Sequence, residues 1–262
     1  MLLTLLRLLP RKALSHFTGI VVHIEKPKIF ADFIKSTLIK SFNINTAEAE
    51  RSVDSYPSFG KFFARRLKPE TRPLAEAPFV MPCDGKISEF GPIEEGYLTQ
   101  CKGINYSVEK LLKDSNLVSE FQEGFFITVY LAPYNYHRVH LPASGKITHN
   151  YTIEGDLWPV NNTSVEEVDE LFCVNERKIS ILETDENQRY ALIMVGATNV
   201  GSIELDDSIY LENNVPKGNE YGTFHMGSTV ILLLNKDLRK KVDTKILQRG
   251  NVTCLEALLN YH

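Results

Sequence analysis

Three features of the sequence predict an α+β protein, with amphipathic helices at the N-terminus and a mostly antiparallel β core behind them. Up to about residue 66, apolar residues recur near the helical period of 3.6. After Pro73 the texture turns to short β-rich runs punctuated by Gly and Pro, and one six-residue corner occurs twice. A length of 262 residues with 43 % hydrophobic content suits a core-forming chain of one large or two small domains. We divide it into a helical segment, residues 1–66, and a β-rich segment, residues 67–262.

In the helical segment Ile29, Phe30, Phe33, Ile34, Leu38 and Ile39 recur at helical spacing, with Lys28, Lys35 and Lys40 among them. Two readings fit. Such a helix packs its apolar face on a core of its own, or it lies in the interfacial plane of an anionic bilayer with its basic residues towards the head groups. Residues 1–12 are apolar but are interrupted by Arg7 and Pro10, and no small-residue cleavage site follows a positively charged start, so they do not read as a signal peptide. No run approaches the roughly 20 apolar residues of a spanning helix.

Strands are expected over residues 124–131, 178–182, 190–195 and 229–234, each a β-branched or aromatic run bounded by turn residues. Helical inserts are expected at residues 107–113 and 164–172, opened by Ser107 and Ser164 as N-caps. The repeated corner is Pro82-Cys83-Asp84-Gly85-Lys86-Ile87 and, sixty positions on, Pro142-Ala143-Ser144-Gly145-Lys146-Ile147. Pro starts a strand and Gly permits a tight bend, so the pair suggests a pseudo-duplicated β-sandwich resembling the lipoyl and biotinyl domains. A turn accepts Asp or Ser alike, which leaves the choice of Asp84 in the first copy to be explained.

A formal net charge of −4 gives no general attraction to nucleic acid. Cys83, Cys101, Cys173 and Cys254 are widely spaced and form no C-x-x-C pair, as in a reducing compartment. His137 and His140 invite a metal reading, but no third ligand stands at ligand spacing, so no metal is expected. Extended backbone would turn these two histidines to opposite faces and give them different roles. Near the C-terminus, His225-Met226-Gly227-Ser228-Thr229 leads into an apolar strand. Ser228 lacks the G-x-S-x-G elbow and the following helix of an α/β-hydrolase. A Gly-Ser junction allows a second chemistry: the hydroxyl attacks the preceding carbonyl, and elimination frees the upstream chain and leaves a pyruvoyl group. Gly tolerates the strained geometry involved.

Several separated motifs resemble the phosphatidylserine decarboxylase family: Phe62-Phe63-Ala64-Arg65-Arg66-Leu67-Lys68-Pro69 with Arg72-Pro73, then Pro82-Cys83-Asp84-Gly85, Tyr130-Leu131-Ala132-Pro133 and Tyr136-His137-Arg138-Val139-His140. Gly155-Asp156-Leu157, Asn175-Glu176-Arg177, Val195-Gly196-Ala197-Thr198, Val200-Gly201-Ser202-Ile203 and Gly227-Ser228-Thr229 follow in the same order, so the likeness covers almost the whole chain. It implies self-cleavage after Gly227 into a β chain, 1–227, and an α chain, 228–262, whose first residue, Ser228, becomes the pyruvoyl cofactor. Asp84, His140 and Ser228 would form the cleavage triad, with His140 as base and Asp84 orienting it. His137 would serve decarboxylation of phosphatidylserine to phosphatidylethanolamine and carbon dioxide, through a Schiff base.

The resemblance also implies a homodimer held peripherally on the cytoplasmic side of the cell membrane, with the helical segment docking on anionic lipid and Lys61, Arg65, Arg66 and Lys68 adding phosphate contacts. Two departures stand out: Met226 where Leu is usual before Gly-Ser-Thr, and Cys83 where Ala is often found before the Asp. The alternatives are a Ser-His-Asp hydrolase built on Ser228, His140 and Asp84 in one uncut chain, and a lipoyl- or biotinyl-like binding module, although the carrier lysine motif of such modules is missing.

Overall fold

The computed structural model describes residues 11–101, 103–197, 203–211, 213–225 and 227–259. Helices α1 (Arg11–Val22), α2 (Lys28–Ser41) and α3 (Phe59–Phe63) precede the strands. Strands β1 (Phe79–Val80), β2 (Gly85–Pro92), β3 (Tyr97–Cys101) and β4 (Ile104–Ser107) lead to α4 (Val108–Leu112) and α5 (Ser115–Phe121). Then come β5 (Phe125–Leu131), β6 (Arg138–His140), β7 (Gly145–Ile153), α6 (Asn162–Glu167), α7 (Leu171–Val174), β8 (Arg177–Thr184) and β9 (Arg189–Val195). The chain continues through β10 (Ile203–Leu205), β11 (Asn214–Val215), β12 (Glu220–Phe224), β13 (Ser228–Leu234), α8 (Lys236–Arg239), α9 (Thr244–Gln248), β14 (Asn251–Val252) and β15 (Ala257–Leu259). Helices and antiparallel sheets together make the expected α+β fold.

An eight-stranded sheet runs β11-β7-β8-β9-β13-β5-β2-β14, and its central strands β9 and β13 are buried from end to end except at Arg189, and apolar apart from that residue, Ser228 and Thr229. Strands covered on both faces read as continuous apolar runs rather than as alternation. A smaller sheet, β10-β12-β6, and the pair β1-β15 lie over it. Tyr221 of β12 donates to Ser180 Oγ of β8 at 3.0 Å, and Phe79 of β1 packs edge-on to Tyr190 of β9.

The repeated corner is a true structural duplication. Lys86 and Gly85 pair with Asn251 and Val252 in the register in which Lys146 and Gly145 pair with Asn214 and Val215. The Leu255 amide donates to the Met81 carbonyl as Gly218 does to Leu141, and both Leu255 and Gly218 have positive φ. The copies lock together reciprocally: the Val80 amide donates to the Pro142 carbonyl at 2.9 Å, and the His140 amide to the Pro82 carbonyl at 2.7 Å. In chain order β7, β8, β9 and β11 form one half, inserted between β5 and β13 of the other. Gly145 is needed for the approach itself, because a Cβ there would run into the Glu183 carbonyl of β8.

The helical segment has a satellite core of Val22, Ile44, Ala49, Tyr56, Phe59, Phe62 and Phe63, against which Ile34, Leu38 and Ile39 pack. Phe17, Ile20, Ile29, Phe30 and Phe33 face outwards. The apolar residues of this segment are therefore divided between a face packed on its own core and a face turned outwards. Lys35, grouped with the lipid-facing basic residues, is instead 2 % exposed and donates to the Tyr56 carbonyl at 2.7 Å. A buried ammonium is held where it has acceptors, here Asp32 as well. Ser107 caps α4 as expected, its hydroxyl accepting from the Lys110 amide. Ser164 does not cap α6. Asn161 Oδ1 accepts from the Ser164 amide, so Asn161 is the N-cap and Ser164 is buried inside the first turn.

Candidate active site

Ser228 is the first residue of β13, paired with Leu131 at the end of β5. It is completely buried, and its Oγ has no hydrogen-bond partner among the described residues. An unpaired buried hydroxyl is costly; Tyr56, Thr128 and Ser164 bury unpaired hydroxyls too, and Ser228 differs from them in following Gly227 at the head of a strand. Gly227, just before it, has no contact closer than 3.9 Å to an added Cβ, the nearest atom being the Leu131 carbonyl oxygen. Crowding in the uncut chain therefore gives no reason for Gly at this position. Met226 lies outside the described residues, as do residues 1–10 and the stretch 198–202 of the motifs above.

His137 is fully buried, with the Phe63 ring of α3 tilted at 40° against its own at a centroid distance of 4.0 Å. Nδ1 lies 2.9 Å from the Asn135 carbonyl, which can only accept, so Nδ1 carries the proton and Nε2 is left as a lone pair with no donor. Burial pushes its pKa down to about 3, although the nearby Leu131 carbonyl favours the charged form. His137 and the Gly227-Ser228 junction thus lie against the same Leu131 carbonyl, and an acceptor without a donor shares this neighbourhood with a hydroxyl without an acceptor.

His140 has different surroundings. Its Nδ1 donates to the Gly218 carbonyl at 2.8 Å, and its Nε2 accepts from the Tyr136 hydroxyl at 3.1 Å. Burial again lowers the pKa, opposed by the Gly218 carbonyl and by the charges of Glu220 and Asp84. Asp84 reaches His140 through its field and makes no direct hydrogen bond to it. Its oxygens accept from Arg72 Nε at 2.8 Å and Arg72 Nη2 at 2.5 Å, and from the Cys254 amide at 2.8 Å. Arg72 also contacts Glu48 at 3.2 Å, and these carboxylates hold its guanidinium more firmly protonated than usual.

The duplication explains what Asp84 adds. In the second copy the Lys217 amide donates to Ser144 Oγ at 2.9 Å, as the Cys254 amide does to Asp84. The turn therefore needs an acceptor at this position, and either residue supplies it. Only a carboxylate also holds Arg72 in a bidentate pair. Val80 occupies in the first copy the place that His140 takes in the second, so each copy carries one of the two groups.

Beside these groups a cleft of about 680 Å³ is lined by Arg51, Arg65, Arg66, Arg138 and Glu220, and by His225. Glu220 ties Arg66, at 3.0 Å, to Arg138, at 2.5 Å. Sequence reasoning did not single out Tyr136, Arg72 or Glu220 as site residues. The first two stand within quoted motifs, and Glu220 had no local signal at all. Among the described residues, no helix is long and apolar enough to cross a membrane.

The model of the phosphatidylserine decarboxylase family matches residues 59–256. The chain is 39 % identical over 245 residues to a phosphatidylserine decarboxylase proenzyme of Myxococcus xanthus, with 87 % of each chain covered. It is 41 % identical over 247 residues to one of Anaeromyxobacter sp. strain K, again with 87 % of each covered. A proenzyme of Acinetobacter baumannii is 40 % identical over 244 residues, 88 % of this chain and 86 % of its own. The motifs that carry the likeness fall on both halves of the duplication and on the helix that packs against His137, and on this footing the chain belongs to the phosphatidylserine decarboxylase family.

Proposed function

We propose that this chain is a proenzyme that cuts itself between Gly227 and Ser228 and then converts phosphatidylserine to phosphatidylethanolamine and carbon dioxide at a membrane surface. One observation carries the reading: Ser228 begins a buried strand of an uncut chain with its hydroxyl unpaired, and burial keeps both His137, near the same Leu131, and His140 neutral. A neutral imidazole can take the hydroxyl proton, after which Oγ attacks the Gly227 carbonyl carbon. The peptide becomes an ester, loss of the Ser228 α-proton expels the Gly227 carboxylate, and hydrolysis of the resulting dehydroalanine releases ammonia. His140 is the base of this sequence in our reading, and Asp84, fixed by Arg72, biases its charge. The pyruvoyl group so formed supplies a carbonyl that accepts the electrons released with carbon dioxide. The buried, unpartnered Ser228 Oγ fits a residue that is to be consumed.

His137 is assigned to the second reaction, where its free Nε2 can receive and return a proton at the reacting carbon. The outward Phe17, Ile20, Ile29, Phe30 and Phe33 support docking of residues 1–66 on the bilayer, apolar face down; the peripheral cytoplasmic placement and the dimer are what the family resemblance implies. Intact mass tests the proposal directly. Incubated protein should yield a 227-residue piece and a 35-residue piece (262 − 227 = 35), the latter lighter by one ammonia than a chain starting with serine. His140→Ala should accumulate uncut chain, whereas His137→Ala should cut but release little carbon dioxide. A wild-type chain that stays whole would return the assignment to a Ser-His-Asp hydrolase.

A further inference from the structure

Arg65 is a buried cation that makes no ion pair among the described residues, feeling Glu48 and Asp84 only through their fields. The residue is 2 % exposed, its Nε has no hydrogen-bond partner, and Nη1 meets the Phe63 carbonyl only at 3.5 Å. Its guanidinium lies over the Phe62 ring at 5.0 Å. Of the cations around it, Arg66 and Arg138 share Glu220, Arg72 is held by Asp84 and Glu48, and Arg51 lies over the Tyr56 ring. Burying a charge without a partner is expensive, and proteins retain such a group where a ligand completes it. Arg65 also joins the cleft to the reacting groups. It lines the cleft, and on the other side its charge disfavours protonation of His137.

We propose that Arg65 binds the phosphodiester of the lipid head group, a specificity-determining contact that rests on the decarboxylase reading above. The substrate head group offers two anions, and the reaction treats them differently. The carboxylate loses its charge as carbon dioxide leaves, so a cation paired to it would stabilise the starting state more than the transition state and slow the step. The phosphodiester keeps its charge from substrate to product, so holding it anchors the head group without opposing the chemistry. The planar fork of Arg matches two phosphate oxygens, and its burial excludes the water that would otherwise compete.

Arg65→Gln and Arg65→Lys, each matured to the two-chain form, would be compared with wild type on short-chain phosphatidylserine, with short-chain phosphatidylethanolamine as product inhibitor. Loss of a charge-assisted contact common to both lipids raises KM and the product inhibition constant together, by about tenfold or more in Arg65→Gln, with kcat changed far less. A rise in KM alone would mean that Arg65 holds the carboxylate, and no change in either would remove it from the site; both overturn the proposal. Should the variants fail to mature, wild-type enzyme answers the same question. Short-chain phosphatidylmethanol, a phosphodiester with neither amine nor carboxylate, should compete with substrate about tenfold better than the chain-matched diacylglycerol, and equal inhibition overturns the proposal. Wild-type protein that neither cuts nor releases carbon dioxide would overturn the decarboxylase reading itself, and this proposal with it.

Discussion

His137 makes the stability of the uncut chain depend on pH in a way that can be worked out from its surroundings. Burial lowers its pKa from 6.5 to about 3. Between those values the unfolded chain binds one more proton than the folded chain, so unfolding takes up a proton and stability falls as pH falls. The contribution is intact above the unfolded value and is lost progressively below it, at up to about 1.4 kcal/mol per pH unit. From neutrality down to about pH 4.5, two units below the unfolded pKa, the loss assigned to this residue is at most about 3 kcal/mol. His140 and His225, whose pKa values burial also lowers, add slopes of the same sign. The contribution of His137 therefore has to be isolated by difference. Ser228→Ala, which removes the attacking hydroxyl, supplies an uncut background. Urea unfolding of Ser228→Ala and of Ser228→Ala/His137→Gln at about pH 7.5 and about pH 4.5 gives the comparison, and the double variant should lose less stability on acidification, by as much as about 3 kcal/mol. Equal losses in the two chains would refute the argument, because they would mean that His137 is not held neutral by burial and is not the unprotonated acceptor described beside Ser228.

Three further outcomes follow from the geometry. Arg72→Met in the same uncut background leaves Asp84 buried with the Cys254 amide as its remaining donor, and should cost about 3–5 kcal/mol in urea unfolding; Arg72→Met/Asp84→Asn should cost clearly less than the sum of the single changes, and simple additivity would mean that the pair is not coupled. Gly227→Ala meets nothing nearer than 3.9 Å and should leave the melting temperature of the uncut chain nearly unchanged while slowing cleavage, whereas Gly145→Ala, which collides with the Glu183 carbonyl, should prevent folding or lower the melting temperature by roughly 10 °C or more. Phe30→Ser/Phe33→Ser removes two outward rings and should weaken binding to sedimented anionic vesicles by about tenfold or more without lowering the melting temperature; unchanged binding would move the membrane contact elsewhere.

Much of this protein is written locally. The buried strands β5, β8, β9 and β13 are recognisable because a strand covered on both faces must be apolar at successive positions. The duplicated corner shows in Pro, Gly and Lys-Ile at a spacing of sixty because both copies need the same bend and the same close approach to a neighbouring backbone. The motifs that carry the family resemblance, and with them Asp84, His137, His140 and Ser228 as site candidates, are likewise read residue by residue.

Other features depend on which distant residues come together, and no local pattern encodes that. The strand order places Lys86 beside Asn251 and Lys146 beside Asn214, pairings across spans of chain that periodicity does not register. Lys35 falls on the apolar period of its helix, yet it is buried because the Tyr56 carbonyl and Asp32 meet it there. Asp84 and Ser144 accept the same turn hydrogen bond, and only the fold brings Arg72 to the first of them. That Arg65 is buried with no ion pair among the described residues depends on where Glu48, Glu220 and Asp84 direct their oxygens. By itself the sequence determined the family resemblance, with the site candidates it implies, and which segments form strands, since these are read from residue type and order along the chain. Tertiary structure alone decided which charges are paired, which hydroxyl and imidazole are left without partners, and which apolar face meets solvent, because these depend on three-dimensional neighbours rather than on position along the chain.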